Sequence, residues 1–470
     1  MTGGGGKGFG RPTEGVKTLL GNPRKAIIKL SIPMIIAMSV QTFYNLVDAI
    51  WVAGLPHGGD ALAAIGLFFP FFFLIMALAA GLGIGGGAAI SRRIGARDKR
   101  GADNVADHMV ILVMITALLF TVPMFMAIPG ILKSMGARDS LDMAVGYGRI
   151  IIGFSVIIFF NNIANAILRA EGDTKRAMYA MILGSGLNII LDPVFIYGFG
   201  LGVEGAAWAT MASFTVTFTL LFYWLFFKKD TFVTFRFRDF RFRWNIIRDI
   251  MRVGVPASLQ QMAMSVNMIF LNALIISIGG EQGVAVFSTG WRVVMMATLP
   301  LMGIASALIS VAGAAYGARA YRKLRLSLVY AIKFGLKIEV PVAVLMFLLA
   351  DMIVLAFTWS PGSRDLRGDL VMFIRLFSLM NFFVGFGMLS GATFQAIGKG
   401  FNSLIVTIFR TIVFALAFAY IFGSVMGLGL EGVWGGILLG NFLGSLAAFG
   451  WAYSHITRLV KGRITPDRAE

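Results

Sequence analysis

Long apolar runs, separated by short polar segments, follow one another from residue 27 to residue 457. A helix of about 20 apolar residues crosses the hydrocarbon core of a bilayer, and every run reaches that length. The pattern therefore predicts twelve transmembrane helices, at residues 27–54, 60–90, 105–132, 144–168, 177–198, 203–227, 250–278, 283–312, 327–357, 370–394, 401–423 and 430–457.

The composition supports this pattern. Of the 470 residues, 58% are hydrophobic and only 14% are charged, which is too few to cover the surface of a soluble protein. There is no Cys, and the three His are scattered, so disulfides, iron–sulfur clusters and a zinc site are not indicated. Residues 1–23 are Gly-rich and basic, which predicts a flexible tail and not a signal peptide. We expect an all-α integral membrane protein without a cofactor.

The 41 Lys and Arg residues are unevenly distributed among the connections between the runs. Thirty-one lie at the termini and in every second connection, whereas the opposite connections contain only Lys133, Arg138, Arg364 and Arg367. By the positive-inside rule, both termini lie in the cytoplasm of a multi-pass protein of the cell membrane. The net charge of +18 is thus mainly a topology signal, and we expect no nucleic-acid partner.

The chain contains an internal repeat. Gly95-Ala96-Arg97 recurs as Gly317-Ala318-Arg319, and the glycine pattern of residues 200–205 recurs at 427–432. Pro33 with Pro256, and residues 170–172 with 396–398, complete a series whose offsets run only from 222 to 227. We therefore predict two six-helix lobes related by a pseudo-two-fold axis along the membrane normal.

The repeat also divides the chain. The predicted lobes are residues 24–227 and 250–457, followed by a cytoplasmic tail at 458–470. Between the lobes lies a basic cytoplasmic linker, residues 228–249, in which aromatic residues alternate with Arg. Such alternation can stack nucleic-acid bases, but we favour an interfacial segment with its aromatic rings among the headgroups and its Arg side chains on anionic lipid.

Polar residues recur at helical spacing in four of the first six predicted helices, and each set covers one helix face. The sets are Gln41, Tyr44, Asn45 and Asp48; Asn161, Asn162 and Asn165; Ser185, Asn188 and Asp192; Thr210, Ser213 and Thr217. We infer that these faces line an internal cavity with two carboxylates, since an intramembrane acid is costly and is by default functional. Each single amide or hydroxyl can also simply hold helices together.

The repeat indicates that the two acids have a function. The positions equivalent to Asp48 and Asp192 in the second half are Leu271 and Phe418. The common scaffold therefore packs without the acids, and we interpret them as an ion-coupling site of the first half. The sequence contains no phosphate-binding loop of the G-x-x-x-x-G-K-[ST] type and no nucleophile–base or metal-ligand set, so neither an enzyme nor an ATP-driven pump is indicated.

Three segments of the first half resemble one transporter family. Residues 168–175 (LRAEGDTK), 188–193 and 200–210 are similar to the multidrug and toxic compound extrusion (MATE) family, especially the archaeal members of its DinF-type branch. With Gly95-Ala96-Arg97 and Pro33, the similarity extends over residues 24–457. The resemblance implies a V-shaped pair of lobes that exports amphipathic, often cationic, drugs by alternating access in exchange for H⁺ or Na⁺.

The resemblance also implies roles for individual residues. The family's cation-coupling network, which would also hold a Na⁺ ion, matches Asp48, Asn188, Asp192 and Thr210. Its substrate-binding neighbours match Gln41, Tyr44, Asn161 and Asn165. The NorM-type branch carries acids in the seventh and tenth helices, but residues 250–278 and 370–394 contain none, so a second-lobe cation site is not expected.

These residues suggest a mechanism of competition between cation and drug for the carboxylates. Pro33 and Pro193 each remove a helix hydrogen bond and are the expected helix-bending positions. The same oxygen ligands serve H⁺ and Na⁺, so the sequence leaves the coupling ion open. We expect the protein to act as a monomer and to transport small molecules.

A flippase of a lipid-linked substrate, built on the same two lobes, is the alternative function. It would need a basic cavity for pyrophosphate, and Arg292 and Arg410 of the second half keep this interpretation open. Pairing of these arginines with Glu281 or Glu339 is the simpler interpretation. A channel would instead show ion flow without drug exchange.

Overall fold

The computed structural model describes residues 11–55, 58–135, 140–228, 230–235, 240–358 and 365–463. Within these ranges nearly every residue is helical and no strand occurs, which confirms the all-α class. Parts of four predictions lie outside the described residues: the first ten residues of the tail, positions 138 and 364, linker residues 236–239, and the end of the cytoplasmic tail from 464.

Seventeen α-helices account for most of the described residues. They are α1 Glu14–Leu20, α2 Pro23–Ala53, α3 Gly58–Gly95, α4 Lys99–Ser134, α5 Leu141–Gly153, α6 Ser155–Ala170, α7 Thr174–Pro193, α8 Gly202–Phe222, α9 Trp244–Ala297, α10 Leu299–Gly317, α11 Tyr321–Leu348, α12 Ala350–Leu355, α13 Arg367–Ser378, α14 Val384–Ala396, α15 Gly400–Ile408, α16 Ala415–Tyr420 and α17 Gly429–Val460. Wider π-helical turns follow α7 and α8 and flank α16, at Val194–Gly198, Tyr223–Phe227, Phe409–Phe414 and Ile421–Val425.

The helices agree in position with the predicted membrane crossings, but one of them is less apolar than the others. In the described ranges, nine helices are long and apolar enough to cross a membrane, and two bent pairs, α5 with α6 and α13 with α14, raise the number to 11. The remaining predicted span, 327–357, falls mainly on α11, whose apolar sequence is interrupted by Lys333, Lys337 and Glu339. The gap predicted after residue 278 is a kink within α9 at Gly280, where φ is 61°.

The chain divides into two compact units. Unit 1 contains residues 1–20 and 36–258, and unit 2 contains residues 21–35 and 259–470. Both α2 and α9, the first long helix of each sequence half, are therefore shared between the units.

Glycines explain how the first part of α9 packs in unit 1. A Cβ on Gly81 of α3 would lie 2.0 Å from Ser258 Oγ and 2.6 Å from the carbonyl oxygen of Gly254. The Ser258 hydroxyl donates a hydrogen bond of 2.9 Å to the carbonyl of Ala77. In unit 2, the repeat-related Gly303 of α10 approaches α2 in the same way, since a Cβ there would lie 2.9 Å from the backbone nitrogen of Ile35. Small residues thus let helix backbones touch.

The repeat is visible in the backbone. Arg97 and Arg319 follow α3 and α10 in the left-handed conformation, with φ of 60° and 53°. Gly172 and Gly398 share a φ of 84°, and Gly200 and Gly427 share a φ of 67°. A residue with positive φ is a common way to end a helix, so the matched sequence segments are matched helix ends.

Two expectations about the segments outside the predicted lobes need correction. The predicted flexible tail is wrong for residues 14–20, which form α1 with Val16 and Leu19 buried. Helix α1 packs so closely that a Cβ on Gly172 would lie 2.5 Å from the carbonyl oxygen of Gly15. Its apolar side chains at helical spacing allow this segment to pack on the rest of the protein, whereas most terminal tails have nothing to pack on.

The predicted interfacial position of the linker is wrong for its first part. Val233 is buried, and its amide donates to Glu171 Oε2 over 2.9 Å. The amide of Thr234 donates to Asp103 Oδ1 over 2.8 Å. This part packs on protein because fixed carboxylates satisfy its backbone donors. Phe242, by contrast, is 63% exposed, in keeping with a headgroup position.

Candidate functional site

The site in unit 1 begins with the meeting of two carboxyl groups. Asp48 lies in the last turns of α2, and Asp192 lies in the last turn of α7, fully buried. Their side chains lie within hydrogen-bonding contact of each other. A carboxylate only accepts hydrogen bonds, so this contact is a hydrogen bond when one of the two groups carries a proton. The pair is therefore able to share one proton.

Asp48 has an unused oxygen. Its Oδ1 atom is buried and has no hydrogen-bond partner among the described residues. A buried polar atom without a partner costs free energy, and at a functional site it indicates a place for a ligand. The Asp48 side chain can therefore accept a proton donor or a cation without giving up its contact with Asp192.

Asn188 connects Asp192 to α8. With its amide nitrogen towards Asp192, it donates to Asp192 Oδ2 over 3.0 Å, and its oxygen lies 3.2 Å from Thr210 Oγ1 and from the Thr210 amide. In the opposite orientation, the amide nitrogen donates to Thr210 Oγ1 over 3.2 Å. The first orientation satisfies both ends of the amide, because its nitrogen faces a carboxyl oxygen and its oxygen faces two donors of Thr210. Asn188 thus ties Asp192 to Thr210 of α8.

Two tyrosines complete the surroundings of the acids. Tyr44 of α2 and Tyr147 of α5 are electrostatic neighbours of both Asp48 and Asp192. The spacing on α2 predicted Tyr44. We did not predict Tyr147, because it is the only polar residue on its helix face. The one sequence signal for it is a single tyrosine hydroxyl within a predicted transmembrane helix.

The helix ends beyond the acids are joined by an aromatic contact. Tyr197 lies in the π-helical turn after Pro193 and donates to the carbonyl of Trp51 over 2.5 Å. The two rings meet edge to face with centroids 6.2 Å apart. An apolar cluster that contains Val52 and Ile196 packs around this contact. The segment that follows Pro193 is thus tied to the end of α2.

The other predicted substrate-binding residues lie apart from this network. Asn161 donates to the carbonyl of Phe214 over 2.9 Å, and Asn165 donates to the carbonyl of Asn161 over 2.9 Å. Both amide oxygens are buried without a partner among the described residues. Gln41 is exposed on α2. The structure thus brings together Asp48, Asn188, Asp192, Thr210 and Tyr44, but it does not connect Gln41, Asn161 or Asn165 to them by hydrogen bonds.

The donor set defines the chemistry of the site. Asp48, Asp192, Asn188 and Thr210 offer oxygen atoms, which suit protons and hard monovalent cations. In the described parts of the chain, no group of three or more His, Cys, Asp or Glu residues could hold a metal ion. The arrangement can therefore exchange a proton or a monovalent cation, but it does not resemble a transition-metal centre.

Unit 2 has a polar network that the sequence analysis missed. Gln260 of α9 donates to Ser403 Oγ and Thr407 Oγ1 over 2.8 and 2.9 Å and accepts from Gln395 Nε2 over 2.8 Å. These residues do not stand at the positions equivalent to Asp48 and Asp192, where the second half is apolar. They were missed because the search compared equivalent positions only.

Comparisons with known proteins agree with this architecture. The family model MatE matches residues 33–194 and 256–421, one stretch in each half. The multidrug export protein MepA of Staphylococcus aureus is 27% identical over 452 residues, which cover 95% of this chain and 96% of MepA.

Two solved structures are also similar. One is an outward-facing multidrug resistance MATE family transporter of the MOP superfamily, 50% identical, with a TM-score of 0.93 over 96% of this chain and 100% of that one. The other is a MOP superfamily transporter from Pyrococcus furiosus, 50% identical, with a TM-score of 0.92 over 96% and 99%. The binding pocket of that protein is described as having reverse polarity, which suggests a different function.

Proposed function

Because this chain belongs to the MatE family of multidrug efflux transporters, we propose that it exchanges protons for amphipathic cations at the acid pair of unit 1. The observation that carries the proposal is the contact between the carboxyl groups of Asp48 and Asp192. Two carboxyl groups in contact are able to share one proton, and such a pair is a natural proton carrier.

The exchange follows from charge. When the shared proton leaves, two carboxylates remain in contact within a buried site and repel each other strongly. A lipophilic cation that enters the site relieves this repulsion. When a proton returns from the outside, one negative charge is removed, the attraction for the cation weakens, and the drug departs. Proton and drug thus compete for the same pair.

Asp192 and Tyr197 supply a connection between protonation and helix movement. When Asp192 loses its proton, the amide of Asn188 donates to the carboxylate and holds it in place. Asp192 directly precedes Pro193, whose missing amide hydrogen weakens the helix there. A change at Asp192 therefore acts on the turn that holds Tyr197 against Trp51. We assign helix bending to Pro193 and to Pro33 of α2 on this ground.

Substrate contacts are proposed on the face of α2. Tyr44 and Gln41 lie one and two turns before Asp48, where a cation bound to the acids would place its apolar body. Asn161 and Asn165 have free amide oxygens that would accept hydrogen bonds from such a substrate. We further propose that the protein acts as a monomer with both termini in the cytoplasm, as the distribution of Lys and Arg indicates.

Transport in vesicles tests the proposal. Purified protein is reconstituted, and uptake or release of a fluorescent lipophilic cation is followed under an imposed pH gradient, or under a Na⁺ gradient at equal pH. We expect exchange under the pH gradient alone. Exchange driven only by Na⁺ would assign Na⁺ to the oxygen ligands of Asp48, Asn188, Asp192 and Thr210 and would overturn proton coupling.

A flippase of a lipid-linked substrate is a second candidate. It is favoured by the description of the Pyrococcus furiosus relative, whose pocket of reverse polarity suggests a different function for that protein. The same vesicles test it: a fluorescent lipid-linked phosphate would become accessible to a quencher in the other leaflet, and the lipophilic cation would not be exchanged.

A further inference from the structure

Unit 2 buries a positive charge in its interior. Arg410 lies in the π-helical turn that follows α15, and its side chain is only 6% exposed. Its stem runs between two glycines: a Cβ on Gly444 of α17 would lie 2.8 Å from Arg410 Cβ, and a Cβ on Gly387 of α14 would lie 2.9 Å from Arg410 Cδ. Both glycines are thus required for Arg410 to reach the interior.

The guanidinium has few partners for its charge. It donates one hydrogen bond, from Nη1 to Asn441 Oδ1 over 3.2 Å, and Nε is buried without an acceptor. No acidic residue pairs with Arg410 in the described ranges. Glu339, the buried acid of the same unit, has both carboxyl oxygens without a partner, so the expected pairing of Arg410 with Glu339 is not present. A buried charge with one neutral partner is costly unless an opposite charge joins it.

Further hydrogen-bonding groups surround the guanidinium. The hydroxyl of Ser445 lies on the same side of Gly387 as Arg410 Nε, since a Cβ on Gly387 would be 2.8 Å from the first and 3.2 Å from the second. Ser390 lies one turn after Gly387 on α14. The hydroxyls of Ser390 and Ser445 are both buried without a partner in the part of unit 2 that the structure describes. The Ser445 hydroxyl and Arg410 Nε thus form one cluster beside Gly387, and the Ser390 hydroxyl belongs to the same helix as Gly387.

The internal repeat shows that this cluster is specific to unit 2. The positions of unit 1 that correspond to Arg410 and Gly444 hold Gly184 and Thr217, and the position of Gly387 holds Asn161. In unit 1, a Cβ on Gly184 would lie 2.8 Å from Thr217 Oγ1, so the same helices pack there without a charge. The scaffold does not need Arg410 for packing.

We propose that Arg410 is the centre of a binding site for an oxyanion, the carboxylate or phosphate group of an amphipathic molecule. The planar guanidinium fork matches the geometry of carboxylate and phosphate. The hydroxyls of Ser390 and Ser445 and the guanidinium donate to the oxyanion, which neutralises the buried charge. The site involves none of the residues assigned to proton exchange, so either assignment can fail without the other.

Binding to the purified full-length protein tests the site. The probes are decanoate and decyl phosphate, with decyltrimethylammonium as the cationic control, and binding is measured by calorimetry and by the shift in the unfolding temperature. Arg410→Gln removes the positive charge, and Arg410→Lys keeps the charge but lacks the planar guanidinium group. Arg322→Gln is the matched control, since Arg322 is an exposed arginine of the same unit. Nanodiscs of phosphatidylcholine with or without phosphatidylglycerol distinguish a lipid headgroup from a free anion.

We expect at least about tenfold weaker binding of decanoate or decyl phosphate to Arg410→Gln, an intermediate loss in Arg410→Lys, and no change in Arg322→Gln. A stabilisation by phosphatidylglycerol that Arg410→Gln abolishes would identify a lipid as the source. If Arg410→Gln does not fold, Ser445→Ala should still weaken binding several-fold. Equal affinity of wild type and Ser445→Ala or Arg410→Gln, or no binding by wild type, would overturn the proposal.

Discussion

Tyr197 donates its hydroxyl hydrogen to the backbone carbonyl of Trp51, with 2.5 Å between the two oxygens. Trp51 follows Asp48 by less than one turn of α2, and Tyr197 follows Asp192 within the next π-helical turn. This hydrogen bond and the contact between the two acids therefore join the same pair of segments. The coupling of protonation to helix movement proposed above rests on this arrangement.

Removing this hydroxyl should loosen the contact. Tyr197→Phe keeps the edge-to-face packing on Trp51 but deletes the hydrogen bond, which is worth about 1 kcal/mol of unfolding free energy. We expect a lower unfolding temperature and a changed rate of drug exchange with unchanged proton dependence. Tyr179→Phe, at an exposed tyrosine of α7, is the control and should leave both quantities unchanged. Equal stability of the two variants would show that the Tyr197 bond contributes nothing.

Asp48→Asn and Asp192→Asn address the acid pair directly. Each replacement keeps the size and hydrogen bonding of the side chain but removes the group that gains and loses a proton. We expect folded proteins that lose gradient-driven efflux in vesicles at equal protein amount, while their unfolding temperature is unchanged or raised, because a buried charge is relieved.

The matched control is Asp142→Asn, an exposed acid on α5 of the same unit, which should transport normally. If the two acids only held helices together by hydrogen bonds, amides at these positions would do so equally well. Coupled efflux at the wild-type rate in both Asp48→Asn and Asp192→Asn would therefore contradict the mechanism.

The packing of α9 on α3 can be tested at its glycines. In Gly81→Ala, the new methyl group would meet the Gly254 carbonyl at 2.6 Å, so backbones must separate and the unfolding free energy should fall by about 1–3 kcal/mol. In Gly186→Ala of α7, the methyl group meets nothing within 4 Å, and the better helix propensity of Ala should stabilise by up to about 1 kcal/mol. Thermal unfolding in detergent compares the stabilities of the two variants. A change of unfolding free energy with the same sign in both would refute the close approach of α9 to α3 at Gly81.

The buried carboxyl group of Glu171 predicts a pH dependence of stability. Burial raises the pKa of this carboxyl from 4.5 to about 8, although the hydrogen bond from the Val233 amide acts in the opposite direction. The folded protein therefore binds more protons than the unfolded chain between pH 4.5 and about 8, and the contribution of Glu171 to stability falls as pH rises through this window.

Glu171→Gln should flatten this part of the pH profile of the unfolding temperature, because the amide does not titrate. Asp142→Asn, at an exposed acid of α5, provides the comparison, and the slope in this window should stay as it is in the wild type. An unchanged slope in Glu171→Gln would assign the pH dependence to other groups.

The sequence predicted much of the site, but not its connections. The spacing on α2 and α7 selected Asp48, Asn188 and Asp192, because helical periodicity fixes which residues share a face. It could not show that Asn161 and Asn165 bond to neighbouring carbonyls, or that Tyr147 joins the acids, since both depend on how helices rotate against each other. The linker was misjudged for a similar reason: aromatic and basic composition suits lipid, but Glu171 and Asp103 offer protein acceptors.

The sequence by itself determined that this protein is a helical membrane protein with two related halves. Length, hydropathy and the positions of helix-ending residues such as Arg97 and Gly172 are local properties, and a bilayer allows an apolar chain little other than helices. The tertiary structure alone decided that α2 and α9 are shared between the units, that Asp48 meets Asp192, and that Arg410 is buried without an acid. These are distances between residues far apart in the chain, and they depend on how the helices pack: glycines set how closely backbones approach, and helix rotation sets which polar groups face each other.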